Sequence, residues 1–128
     1  MKRLYLSLGL ILLLAALSGV HAFCLTRFTG QLSDLLIQAQ EQVDEEDWEQ
    51  AARLTRQARE RWESWDGYLH LTLRHTDTDA VQISFDEALA FLEGDERQPS
   101  EYAAVNARLL TQLWLLSEAE LPTLTNLL

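Results

Sequence analysis

Cysteine is nearly absent. Cys24 stands alone, so the chain can form no internal disulfide and no thiolate-rich metal cluster. The five glycines are scattered and build no phosphate-cradling loop. No serine sits in a Gly-x-Ser-x-Gly turn, which removes the clearest signature of nucleophilic hydrolysis. There is no Gly/Ser linker, no low-complexity tract and no alternating polar–apolar run, so neither a second domain nor a half-buried sheet is expected. Basic residues are also scarce. Ten lysines and arginines face 20 acids in the 128 residues, a formal charge of −10. Because Lys2, Arg3 and Arg27 lie at the start, the part from Phe28 onward carries 7 arginines against all 20 acids, or −13. Such a surface repels nucleic acid and anionic head groups, and is compatible with basic partners or divalent cations.

What the chain does have is a long apolar start. Leu4 to Thr26 contains no Asp, Glu, Lys or Arg and is dominated by leucine. About 20 such residues in a helix cross the roughly 30 Å hydrocarbon core. Lys2 and Arg3 precede the run and acids dominate the chain beyond it, which orients the N-terminus to the cytoplasm and the rest outside. Val20-His21-Ala22 resembles a cleavage site, so a cleaved signal with secretion of the remainder is the competing expectation. A lipoprotein at Cys24 is disfavoured because Phe23 stands where a small residue is needed. The apolar run continues through Phe23, Cys24 and Leu25, and helical periodicity passes directly into Phe28, Leu32, Leu35 and Leu36, which favours an uncleaved anchor. The chain is therefore divided into an anchor or signal segment, 1–26, attached to the cytoplasmic membrane through Leu4 to Thr26, and an acidic helical extracytoplasmic domain, 27–128.

Beyond the anchor, apolar residues recur at three- and four-residue steps. The first helix continues over Leu25, Phe28, Leu32, Leu35, Ala39 and Val43, and ends in Asp44-Glu45-Glu46-Asp47. Asp47 is a suitable N-cap for a second helix with Trp48, Ala51, Thr55, Ala58, Trp62, Trp65 and Leu69 on one stripe. Arg53, Arg56, Arg59 and Glu60 form its solvated face. Gly67 is expected to break this helix near Tyr68. His75-Thr76-Asp77-Thr78-Asp79 is a polar corner of capping residues. A third helix runs over Val81, Phe85, Ala88, Leu89 and Leu92 to a stop at Gly94. Pro99 opens a fourth over Val105, Leu109, Leu113 and Leu116, with Pro122 expected to close it. The fold class is all-α, an N-terminal transmembrane helix continuing into a small bundle of antiparallel helical hairpins. Around Asp47 the pattern is loosely tetratricopeptide-like, a likeness read as shared hairpin packing.

The ordered set Asp47-Trp48-x-x-Ala51, Trp62, Trp65, His75-x-x-x-Asp79 and Leu124-x-Asn126-x-Leu128 resembles a family of small Gram-positive bacterial proteins, domain of unknown function 4363. The resemblance covers essentially the whole chain and implies a short membrane helix followed by a helical domain. It implies no activity. The family's corner reads roughly His-x-Glu-x-Asp-x-Ile-Glu. Here it is His75, Asp77, Asp79, Val81 and Gln82, so a role that needs charge at the last position does not carry over.

Two constellations are candidates for binding. His75, Asp77 and Asp79 offer one nitrogen and two carboxylates to a divalent cation. His70, five residues earlier, is poorly aligned with them, and the alternative is plain helix capping. The acids 44–47 lack the spaced oxygens and glycine of a calcium loop. Trp48, Trp62, Trp65 and Trp114 are either core or partner-facing anchors. The expectation is a non-catalytic protein–protein interaction module without a cofactor, serving another membrane or envelope protein and not nucleic acid. The alternative is an extracytoplasmic sensor of divalent cations or basic ligands.

Overall fold

The computed structural model describes residues 1–65, 67–69 and 75–127, with side chains as far as Glu118. The long helices are α1 (Lys2–Asp44), α2 (Trp48–Ser64), α3 (His75–Glu93) and α4 (Pro99–Leu127). No strand occurs among the described residues. α1 packs on α2 and α4, and α3 packs on α2 and α4, so the ring of neighbours closes. The result is an up–down–up–down bundle, as short connections between consecutive helices favour.

α1 runs unbroken for 43 residues, about 64 Å at 1.5 Å per residue. It crosses position 26 without interruption, and burial begins at Ala22 and Leu25. Below that level Leu4, Leu8, Leu12, Leu13 and Leu17 stand exposed all round the helix. Among the described residues α1 is the one helix long and apolar enough, by length and composition, to cross a membrane.

The turn between α1 and α2 is set by its backbone bonds. Asp47 N–H donates to Gln42 O at 2.8 Å and Glu46 N–H to Val43 O at 3.0 Å, the paired bonds of a Schellman motif. That motif needs a left-handed residue, and Glu46 supplies it at φ 63°, a position glycine would fill without a Cβ penalty. Asp47 then caps α2, its carboxylate accepting from Gln50 N–H at 3.2 Å. The sequence expectation for this junction holds. α2 ends at Ser64, before Gly67, and Leu69 N–H reaches back to Trp65 O at 2.8 Å. Gly94 N–H closes α3 on Ala90 O at 3.1 Å, and Pro99 opens α4.

Two boundaries differ from expectation. The corner 75–79 is helical from His75 onward, so Asp77 lies in the first turn of α3, where it complements the helix dipole, and not in a preceding loop. Thr78 donates to His75 O at 3.0 Å. Pro122 does not close the fourth helix: α4 continues to Leu127. A proline removes one donor and crowds the carbonyl one turn back, at roughly 3 kcal/mol, but it keeps helical φ. A helix already nucleated over twenty preceding residues propagates through it.

The core is the sum of the predicted stripes. Leu25, Leu32 and Leu36 of α1, Ala51, Ala58 and Trp62 of α2, Val81, Phe85 and Leu92 of α3, and Leu109 and Leu113 of α4 are buried together. Two polar links cross it. Thr55 gives its hydroxyl hydrogen to Ala51 O at 2.9 Å, so Tyr102 is the donor in the 2.7 Å bond between the two hydroxyls. Burial pushes the Tyr102 phenol from its ordinary 10 up to about 12, with the Thr55 bond pulling the other way. Asn106 donates from Nδ2 to Leu36 O at 3.0 Å and ties α4 to α1, while its Oδ1 has no hydrogen-bond partner among the described residues.

Candidate functional site

The bundle has two chemically different ends. At the end away from the apolar half of α1, the α1–α2 turn meets the α3–α4 turn around a cleft of about 880 Å³. Trp48 forms one wall, half-buried against the core, with the Arg97 guanidinium 5.8 Å from its ring centroid. Arg53 and Arg56 line the same space, and Arg56 pairs with Glu93 across it. Three of the seven arginines of an acidic domain therefore line one cleft beside the N-terminus of α2, and one of them, Arg97, lies over the Trp48 ring. Asp47, Glu49 and Glu93 share the lining, which leaves the cleft mixed in charge and not simply basic.

Arg59 and Arg108 act as surface ties. Arg59 reaches Glu63 at 3.0 Å and Asp86 at 3.2 Å, joining α2 to α3. Arg108 reaches Glu87 at 2.8 Å and Ser84 Oγ at 3.2 Å, joining α3 to α4. Such exposed pairs contribute well under about 1 kcal/mol each. They differ from the cleft group, in which Arg53 has no ion pair among the described residues and Arg97 rests on an aromatic face.

At the opposite end an aromatic chain leads from the core to the surface. Trp62 lies 6.4 Å from Phe85 and 6.3 Å from Phe28, Phe28 stacks on Trp65 at 4.5 Å, and Trp65 meets Tyr68 edge-on at 5.4 Å. Tyr68 is hydrogen-bonded to His21 Nδ1. Trp65, Tyr68, His21, Cys24, Val20 and Leu17 line a second cleft of about 540 Å³, where the exposed apolar part of α1 gives way to the bundle.

The four tryptophans thus have separate fates. Trp62 is core, at 1% exposure, and Trp48 and Trp65 each pack one side on the core while facing a cleft. Trp114 is 59% exposed beside exposed Leu115. The sequence pattern identifies the stripe but not this division. It also missed the arginine gathering, because Arg53 and Arg97 lie 44 positions apart and are brought together only where the start of α2 packs beside the α3–α4 turn. His21 gave a weak signal, an imidazole in an apolar run, but its partner Tyr68 is 47 positions away.

His75, Asp77 and Asp79 are exposed on the opening turns of α3. On a helix, residues two apart diverge, so Asp77 points away from the face shared by His75 and Asp79. Among the described residues no three His, Cys, Asp or Glu side chains are placed to hold one ion. His70 lies outside the described residues. Gln82 has a definite place: it donates to Glu63 Oε1 at 3.1 Å, where a carboxylate would face another carboxylate.

The chain matches no curated protein and no solved structure. It does match a family, described as domain of unknown function (DUF4363), over residues 20–127, from the end of the apolar segment to the last turn of α4. That span covers the distal cleft, the lining of the second cleft apart from Leu17, the capped Asp47 turn and the packed bundle, and the chain belongs to this family.

Proposed function

We propose that the protein is a single-pass membrane-anchored helical module, non-catalytic, that docks another envelope or membrane protein at its distal cleft. The N-terminus is cytoplasmic and the bundle extracytoplasmic in this reading. The anchor is supported by the exposure of leucines all round α1 below Ala22, in a helix that continues directly into the core. A stripe suffices for packing, whereas a helix apolar on every side suits hydrocarbon. Lys2 and Arg3 before the run supply the orientation.

The observation that carries the docking role is the distal cleft itself. Tryptophan and arginine are the residues most often found at the energetic centre of protein interfaces, and Trp48 with Arg53, Arg56 and Arg97 places them in a concave site. A partner segment with acidic groups around an apolar side chain would match it. A photo-crosslinking side chain at position 48 of the full chain, in native membranes, should yield a discrete protein adduct that the same group at exposed Gln57 does not. Arg53→Glu with Arg97→Glu should abolish it. Equal labelling from both positions, or from neither, would sink the docking role. Calorimetry with calcium, zinc and basic peptides separates this reading from a sensor of cations or basic ligands, which would give heat where the docking module gives none.

A further inference from the structure

The aromatic cleft at the other end lies at the level where a bilayer would stop, and this bears on what fills it. The inference rests on the anchor reading above. Residues 4–23 of α1 cover about 30 Å, the thickness of a hydrocarbon core. The continuous run of exposed apolar residues on α1 ends at Phe23, with Ile37 the one large exposed apolar side chain beyond it, and the buried ones begin at Ala22 and Leu25. The cleft-lining stripe from Leu17 to Cys24 rises about 10 Å, so it straddles that boundary.

We propose that this cleft seats the upper acyl chain and glycerol region of one outer-leaflet phospholipid, with Arg27 facing its phosphate. Three features fit that occupant. The described lining contains no charged residue, and His21 and Tyr68 engage each other, which lowers the cost of removing them from water. Trp65 is held rigid by its stack on Phe28 and closes the cleft with Tyr68, and such amphipathic rings favour the membrane–water interface. Arg27 is exposed one turn above Cys24, on the flank of the stripe that includes Val20 and Cys24, about 4.5 Å higher along the axis. A cation at that height complements a phosphate, in a domain whose charge otherwise repels one.

The test uses the full chain in phosphatidylcholine vesicles that carry bromine either high on the acyl chain or near its end. Trp48, Trp62 and Trp114 are replaced by Phe, so that Trp65 reports alone. Leu12→Trp in a chain with all four native tryptophans replaced is the reference for depth. Trp65 should be quenched by high bromines more than by deep ones, position 12 by deep ones, and Arg27→Gln should cause partial loss of the Trp65 quenching only. Should the sole-Trp65 chain not fold, a nitroxide on the native Cys24 reports the same depth by its relative exposure to oxygen and to a water-soluble nickel complex. Trp65 unquenched, or Cys24 water-exposed, with position 12 quenched would overturn the lipid seat and leave the anchor standing. Position 12 unquenched would remove both. An unchanged signal in Arg27→Gln would overturn the phosphate contact, and a Cys24–Cys24 cross-link between chains would give the cleft to a second copy instead.

Discussion

The two halves of α1 both use leucine as their main apolar residue and live in different surroundings. Leu12 is 61% exposed and Leu32 is fully buried, yet they lie on one uninterrupted helix. Total hydrophobicity falls from the lower half to the upper, and its angular distribution changes with it. In the lower half leucines occupy every side of the helix. In the upper half Leu25, Phe28, Leu32, Leu36, Ala39 and Val43 form one buried stripe, and Gln31, Asp34, Gln38 and Glu41 lie off it, with Ile37 the one large exposed apolar side chain among them. A stripe specifies protein neighbours, which are on one side, whereas an apolar cylinder specifies a solvent that is apolar in all directions.

The largest expected effect tests that contrast directly. Leu32→Ala should cost the bundle about 2–5 kcal/mol in denaturant unfolding of the full chain in micelles. Leu12→Ala should leave the same transition within about 0.5 kcal/mol, because position 12 lies outside the fold's core. An equal cost at both positions would break the comparison.

A pH experiment sharpens it. Tyr102 is an acid whose folded value is raised, so the folded state favours its protonated form. Its contribution is intact below the ordinary value of 10 and is withdrawn as pH climbs to about 12. Two pKa units correspond to about 3 kcal/mol at the alkaline limit. Fluorescence-monitored unfolding should show this loss, and Tyr102→Phe should flatten the alkaline slope. An alkaline wash of membranes should therefore loosen the upper half of α1's surroundings while the chain stays with the bilayer.

Smaller effects come from the turn that ends the upper half. Asp47→Ala removes the cap on Gln50 N–H and should cost about 1 kcal/mol by urea titration. At the neighbouring position, Glu46→Gly should raise stability by about 0.5–1 kcal/mol, because glycine adopts the left-handed conformation without strain. A destabilising Glu46→Gly would mean that the carboxylate contributes something the backbone argument leaves out.

Much of the fold was legible from the chain because its signals are local. Asp47, Gly94 and Pro99 mark helix ends through backbone chemistry within one turn, and the stripes through Leu32, Trp62, Phe85 and Leu109 reflect the helical period. Pro122 misled because a helix-breaking residue is weighed locally, while its tolerance depends on the helix already formed before it. The sites were far less legible. Trp48 and Arg97, or His21 and Tyr68, meet only when hairpins pack, and nothing in their spacing announces it. The Tyr102–Thr55 bond crosses the bundle diagonally, so no neighbouring pattern encodes it. His75, Asp77 and Asp79 were conspicuous in sequence for the opposite reason: they are close along the chain, and a helix then turns Asp77 away from the other two.

The unbroken run of α1 also has a mechanical meaning. No proline and no irregular turn interrupts it between the apolar half and the Schellman turn at Glu46. Long helices bend gently and kink at prolines, at π-bulges or at Gly/Ser pairs, and α1 stays helical through its one such pair, Ser18-Gly19, so the rod transmits torque. A pull or tilt applied to the distal cleft is leveraged down its axis, and the lower half must rotate or lean with it. Stiffness, more than any single contact, is what this helix adds to the bundle it supports.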